Sequence, residues 1–231
     1  MRNACLPALL PLLLGWPAPA QAQSQVTGQV DLFEARVGRG DDEIVFDTTT
    51  NFGDARQRAV FKLEGGAVAD VDLDEVGGQL LYSNSVTSAT NLLVGVRHEF
   101  RAGSDLSHMS FGVEHTFASW LSAEHYAWVS QRGDVTGAAQ VVATANLSSR
   151  LYLEPRAALA WSAQDIARED TAAGVTQIEV AARLRRQLGR AATLYLGAIH
   201  QRLVGGTRRI ARAGGDSGRQ TRLVFGFGFN F

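Results

Sequence analysis

The last ten residues read Arg222-Leu-Val-Phe-Gly-Phe-Gly-Phe-Asn-Phe231. Leu223, Phe225, Phe227, Phe229 and Phe231 share one parity, and Arg222, Val224, Gly226, Gly228 and Asn230 take the other. Side chains on a strand point alternately to its two faces, so this spacing predicts a strand with its four Phe rings on one side. Such a face must be covered, either by a second sheet of a soluble sandwich or by lipid.

The same rhythm recurs upstream. Leu92, Val94, Val96, His98 and Phe100 alternate with Leu93, Gly95, Arg97 and Glu99. Phe111, Val113, His115 and Phe117 alternate with Ser110, Gly112, Glu114 and Thr116. Ile178, Val180, Ala182 and Leu184 alternate with Gln177, Glu179, Ala181, Arg183 and Arg185. No helical period runs far. The pattern predicts about twelve strands (10–12), over 26–37, 43–51, 57–66, 75–84, 90–101, 107–117, 121–131, 136–147, 150–163, 174–188, 192–204 and 219–231. An even count, strands long enough to cross a thin bilayer when tilted, and a closing strand that ends on Phe all fit a bacterial outer-membrane barrel. So does the spacing. If the N-terminus is periplasmic, the outer connections include 67–74, 164–174 and 205–218, and the inner ones are as short as 118–120 and 148–149. A soluble sandwich has no reason for that asymmetry. The fold class expected is all-β, a single antiparallel transmembrane β-barrel.

Composition agrees. The 231 residues carry 22 Lys+Arg against 23 Asp+Glu, and 24 glycines. Near-neutral charge gives no surface for nucleic acid, which asks for a basic excess. Beyond the first 25 positions no run approaches the roughly 20 apolar residues of a spanning helix. The N-terminus does read as an export signal. Arg2 precedes a short apolar stretch over 6–15, and Ala20-Gln-Ala22 supplies the small-x-small cleavage pattern. Residues 1–22 are therefore the expected signal peptide and 23–231 the barrel. Cleavage takes the single cysteine, Cys5, with it. An exported chain without disulfides needs another device to hold it, and a closed hydrogen-bonded barrel supplies one.

Parity then sorts the charges. Lys62, Glu64, Arg97, Glu99, Glu154, Arg156, Glu179, Arg183 and Arg185, with Glu114 and Glu124, lie opposite the apolar row. An Arg or Lys facing the bilayer midplane costs about 2–4 kcal/mol, so this face must line the lumen. Mixed signs there imply ion pairs across a narrow bore, or a polar pathway through it. Glu114 and Glu124 flank the turn near Ser119 and should stand nearly opposite on adjacent strands, where two carboxylates attract a cation or an Arg. His98, His115, His125 and His200 share parity with apolar neighbours and should point outward into an interfacial belt. His115 and His125 are expected as cross-strand neighbours near the inner rim, where paired imidazoles take Cu(II) or Zn(II). His108 and Met109 stand together beside an outer loop, and imidazole with thioether suits copper. No zinc-hydrolase spacing or GxSxG elbow occurs, and Ser110 and His115 have opposite parity, so no enzyme is expected.

Several segments in order carry a resemblance: FKLEGG (61–66), LLYSNSV (80–86), LLVGVRHEF (92–100), LYLEPRAAL (151–159), QIEVAARLR (177–185) and GGTRRIARAGG (205–215). From about Val26 to Phe231 the chain resembles the barrel domain of the copper-resistance protein B family of Gram-negative bacteria. Lys62 and Glu64 stand at the family's Lys-x-Glu, and Pro155-Arg156 at its Gln-Pro-Arg, with Glu154 for Gln. Glu179, Arg183, Tyr195 and Gly197 also match. Departures are Asn84 for Arg, His98 for Tyr, and Val142 and Ala158 at positions where acids are common.

The resemblance implies an outer-membrane barrel of copper homeostasis, with the copper ion as cargo or ligand. The metal-handling residues it suggests are Glu114, Glu124, His108, Met109, His115 and His125. Family members often carry a Met- and His-rich segment before the barrel, whereas strand one here follows the expected cleavage site almost directly. Soft-ligand capture of Cu(I) is thus poorly supplied. Implied partners are outer-membrane lipid and, as a candidate, a periplasmic multicopper oxidase, around a monomer. The alternative reading is a narrow structural or porin-like barrel without metal specificity.

Overall fold

The computed structural model describes residues 25–38, 42–68, 75–101 and 104–231. The expected signal peptide lies outside the described residues, as does most of the connection at 67–74. Twelve antiparallel strands follow in chain order: β1 (Gln25–Gly38), β2 (Glu43–Gly53), β3 (Gln57–Val68), β4 (Glu75–Ser85), β5 (Thr90–Arg101), β6 (Leu106–Ala118), β7 (Leu121–Ser130), β8 (Val135–Ala143, resuming as Ala145–Asn146), β9 (Leu151–Ser162), β10 (Gly174–Leu188), β11 (Ala192–Leu203) and β12 (Arg219–Asn230). Each pairs with the next, and β12 pairs with β1, so the sheet closes into a barrel without free edges. All twelve expected strands are present, with ends within two residues of those read from the pattern.

The decisive C-terminal stretch is the closing strand. Phe225, Phe227 and Phe229 face Ala35, Phe33 and Val30 of β1 in register, and Leu196, Leu194 and Ala192 of β11 on the other side. The Phe33 and Phe227 rings lie 5.1 Å apart. Phe231 completes the seam. Its N–H donates to Gly28 O at 2.8 Å, and its ring covers Gly28, where a Cβ would fall 2.3 Å from the ring. A side chain at that position would have to displace the ring.

Every strand presents a large apolar residue to the outside, from Phe33, Phe52 and Phe61 round to Val180, Leu196 and Phe225. Water-soluble monomers rarely expose an apolar patch beyond a few hundred Å², so a belt encircling the molecule needs an apolar surrounding. The connections are lopsided. At the end where β1 begins, 54–56, 86–89, 119–120, 147–150 and 189–191 are tight turns. At the other end, 163–173 and 204–218 are long.

Two features depart from the simple rhythm. The long connections are structured, the first carrying a 3₁₀ turn (Ala167–Glu169) and the second a helix, α1 (Gly205–Ala213). Strand β1 also carries one residue more than both neighbours. Val30 and Leu32 face Thr48 and Asp47 of β2, while Val30 and Phe33 face Phe229 and Phe227 of β12. Asp31 is the extra residue of this bulge, and Asp31 and Leu32 both line the interior.

Candidate functional site: the barrel lumen

The inward positions of all twelve strands enclose a segmented polar interior. Three cavities of about 220, 330 and 130 Å³ share Glu124 and Gln140 in their walls. The first opens at the inner rim beside Asn91, Glu114 and Ser122, the second is central, and the third lies against Tyr126 and Trp128.

Ion pairs tie the walls together. Glu114 and Glu124 stand directly opposite in register. Arg58 Nη2 reaches Glu114 at 3.3 Å, and Lys62 Nζ reaches Glu124 at 3.5 Å. Asn91 and the Tyr126 hydroxyl also donate to Glu114, at 3.3 and 3.1 Å, and Gln140 donates to Glu124. On the other side Arg183 grips Glu34 through Nε (3.0 Å) and Nη2 (3.1 Å), while Arg36 Nε donates to the same carboxylate at 2.8 Å. Arg185 meets Glu154 at 2.9 Å and Arg156 meets Glu179 at 3.7 Å. Towards the outer rim Arg97 pairs with Glu64 (2.5 Å) and Glu99 (2.8 Å), Arg101 with Glu99, and Arg222 with Glu43 at 2.7 Å. Charges so enclosed are tolerable only when paired and hydrogen-bonded. Each of the nine lumen charges read from parity stands inside the barrel in an ion pair, of which Arg156–Glu179 is too long for a hydrogen bond. Parity reading missed Asp31, Glu34, Arg36, Asp47 and Arg58. Glu34 and Arg36 sit beyond the bulge, which shifts the rhythm, and Asp47 lies among threonines with no bulky apolar alternation to flag its face.

Asp31 and Asp47 differ from the rest. Both line the central cavity, yet among the described residues neither forms an ion pair; Asp31 accepts a hydrogen bond from Thr49 Oγ1 at 3.2 Å. Lys62, which lines the same cavity, is already engaged by Glu124.

An apolar cluster fills one side of the bore. Val60, Leu81, Leu93 and Tyr126 are buried together with Trp128 against them. The Tyr126 and Trp128 rings are parallel within 5°, with centroids 6.1 Å apart, under Lys62 (4.6 Å) and Arg97 (4.8 Å) respectively. Tyr126 can lie on the wall because its register partner is Gly112, where a Cβ would fall 2.6 Å from the ring. Over the outer mouth the 163–173 connection reaches across the barrel: Glu169 binds Arg101 of β5 at 3.2 Å, and Arg168 pairs with Asp134 of the β7–β8 turn. Ile166 is buried beneath it.

The six residues suggested for copper do not converge. His108 and Met109 are consecutive on β6, so the strand sends them to opposite faces; His108 is buried inside and Met109 is exposed outside. His115 and His125 share the outer face but are offset diagonally, since His115 faces Ala123 and His125 faces Val113. His115 Nδ1 bonds Thr90 Oγ1 at 2.8 Å, and His125 stacks on Trp161, whose Nε1 donates to its Nε2 at 3.1 Å. His98 and His200 also lie on the outer face, bonded to Ser107 and Thr221. Glu114 and Glu124 are inside. Among the described residues no three His, Cys, Asp or Glu side chains gather around one metal-sized point.

The barrel resembles solved porins in fold. It matches a KdgM porin over 89% of this chain and 99% of that one (TM-score 0.53, 10% identity) and a NanC porin over 90% and 99% (TM-score 0.56, 13% identity). Sequence relatives are a copper resistance protein B homolog of Pseudomonas syringae pv. tomato and copper resistance protein B of Escherichia coli. The first is 25% identical over 153 residues, covering 66% of this chain and 52% of that protein. The second is 26% identical over 188 residues, covering 78% and 63%. The chain thus spans between half and two thirds of the length of these relatives. A family model described as copper resistance protein B precursor matches residues 24–231, the whole of the barrel, and the chain belongs to that family.

Proposed function

We propose that this chain is a monomeric outer-membrane barrel of copper resistance. In this reading it handles copper as a hydrated divalent ion in its lumen and not at a fixed coordination centre. The observation that carries the copper part is the pair Asp31 and Asp47, two carboxylates without ion-pair partners in the wall of the 330 Å³ cavity. Hard carboxylate oxygens suit a hydrated Cu(II), whereas Cu(I) asks for thioether or thiolate. Met109, the one methionine of the described residues, lies on the outer face. The apolar belt and the lopsided connections support the membrane location, with the long connections outside the cell. No catalytic role is assigned, and a periplasmic multicopper oxidase that oxidises copper at the inner mouth is the partner proposed.

The test is Cu(II) titration of the folded barrel in detergent, read by calorimetry and by electron paramagnetic resonance. A weak, rapidly exchanging interaction is expected, abolished in Asp31→Asn/Asp47→Asn, which should also fail to restore copper tolerance to a deletion strain. No Cu(II) interaction, together with full complementation by the double variant, would overturn the copper role.

A second reading, a barrel closed for rigidity, draws on the wall-to-wall pairs Lys62–Glu124 and Arg183–Glu34 and on the connection across the outer mouth. Planar-bilayer conductance that is measurable but indifferent to copper would favour a porin-like barrel over both.

A further inference from the structure

The outer rim carries a concentration of positive charge that the lumen does not use. From Arg202 to Arg219 the chain holds five arginines, at 202, 208, 209, 212 and 219, against one acid, Asp216. The other long connection, 163–173, holds Asp165, Glu169 and Asp170 against Arg168. Arg202 and Arg219 are Cα partners across β11 and β12 and share the outward face, directly opposite each other. Like charges so placed destabilise a strand pair unless something of opposite sign lies between them. Among the described residues neither has an ion-pair partner. Arg208 of α1 packs beside this pair; Arg202, Arg212 and Arg219 all act on its charge, and its Nε is buried without a hydrogen-bond partner. Helix α1 is held in place by Thr207, whose buried hydroxyl accepts from Ala172 N at 3.0 Å. Asp216 faces the same groove but accepts from Gly218 N.

Position identifies the counter-ion. One step towards the barrel's middle the outward pair is His200 and Thr221, and the next is Ala198 and Leu223, already in the apolar belt. Arg202 and Arg219 therefore stand at the edge of that belt on the outward wall, where headgroups of the surrounding lipid lie, with Arg208 of α1 beside them. Guanidinium groups are suited to bidentate recognition of phosphate. We propose that Arg202, Arg219, Arg208 and Arg212 form a docking surface for a phosphorylated glycolipid headgroup of the outer leaflet. This rests on the outer-membrane reading above, with α1 outside the cell.

The probe is diphosphoryl lipid A added to the folded barrel in detergent, with dephosphorylated lipid A and inorganic phosphate as comparison arms, read by native mass spectrometry. Losing charged hydrogen bonds to phosphate should weaken retention about tenfold or more, both for the dephosphorylated lipid and for Arg202→Gln/Arg219→Gln. Inorganic phosphate at equal concentration should not compete. Arg208→Gln/Arg212→Gln on the helix supplies the same test if the strand variant does not fold, as judged by heat-modifiable gel mobility. Equal retention of the dephosphorylated lipid, undiminished binding by a folded variant, or binding matched by inorganic phosphate would each overturn the proposal. Recovery of the wild-type chain outside the outer-membrane fraction would overturn the membrane reading itself. An outer-membrane chain that ignores the phosphates would sink this inference alone.

Discussion

Glu34→Gln should be the most damaging single neutralisation in the lumen. Glu34 and Arg183 are both fully enclosed. Arg183 donates twice to the carboxylate, and Arg36, itself largely buried, donates once. The pair joins β1 to β10, spanning two intervening strands, so it braces the seam where the sheet closes. A neutral amide offers a single acceptor oxygen and leaves two guanidinium groups facing each other without an anion. Removing one partner of a buried pair costs about 3–5 kcal/mol. At 1.4 kcal/mol per decade this is roughly two to three and a half powers of ten in the folding equilibrium. The measurement is urea unfolding of the barrel refolded in lipid vesicles, followed by tryptophan fluorescence and heat-modifiable mobility. Glu34→Leu/Arg36→Met/Arg183→Met should recover most of the loss, because removing all three groups strands no charge in that position. A loss below about 1 kcal/mol in Glu34→Gln, or a triple variant markedly less stable than the single one, would refute the reasoning.

Tyr126→Ala removes a ring from the wall of the 130 Å³ cavity and should raise single-channel conductance; an unchanged conductance would mean that this ring does not narrow the bore. Its stability cost is expected near 3 kcal/mol, of the order of large aromatic truncations. Glu169→Lys breaks the tie to Arg101 and should speed amide exchange across 163–173, with a stability change of about 1 kcal/mol because the pair is partly exposed. Asp54, in the β2–β3 turn, accepts from the backbone N–H groups of Gln57 and Arg56 at 2.7 Å each, which hold its carboxyl below the ordinary value. A depressed folded pKa means that the contribution is complete above the unfolded value of 3.8 and is lost as the pH falls through the folded one. The stability difference between wild type and Asp54→Asn should therefore shrink below pH 3.8. A difference that stays constant down to the lowest pH would remove the carboxylate from the account.

The fold was legible because its cause is local. A residue's face in a strand follows from whether its number is odd or even, and each two-residue step can be read without knowing the neighbour. The turns followed for the same reason, since an antiparallel barrel must reverse wherever the rhythm stops. Helix α1 was not legible. Its sequence, GGTRRIARA, has little apolar face, and what fixes it is a contact from Thr207 to Ala172 in a different connection. The bulge at Asp31 also escaped, because one added residue changes the rhythm without any local mark such as a glycine.

Face is legible but depth and partner are not, and this decides how much of the site could be read. Glu114 and Glu124 were placed opposite each other because a tight turn fixes their register. That Lys62 holds Glu124 and Arg58 holds Glu114 depends on closure of the barrel, which brings β3 against β6 and β7 across the bore. The pairing of His108 with Met109 failed by the very rule that gave the fold, since alternation separates any two consecutive residues. The same rule makes the bulge informative. At the bulge Asp31 and Leu32 both face inward, so a carboxylate stands beside Asp47 in a lumen where the other acids of the central cavity wall are ion-paired. A purely structural bore gains nothing from that arrangement, because an uncompensated carboxylate costs desolvation and returns no ion pair. A bore that admits a hydrated cation gains from it two carboxyl groups left without ion-pair partners in the wall of its central cavity.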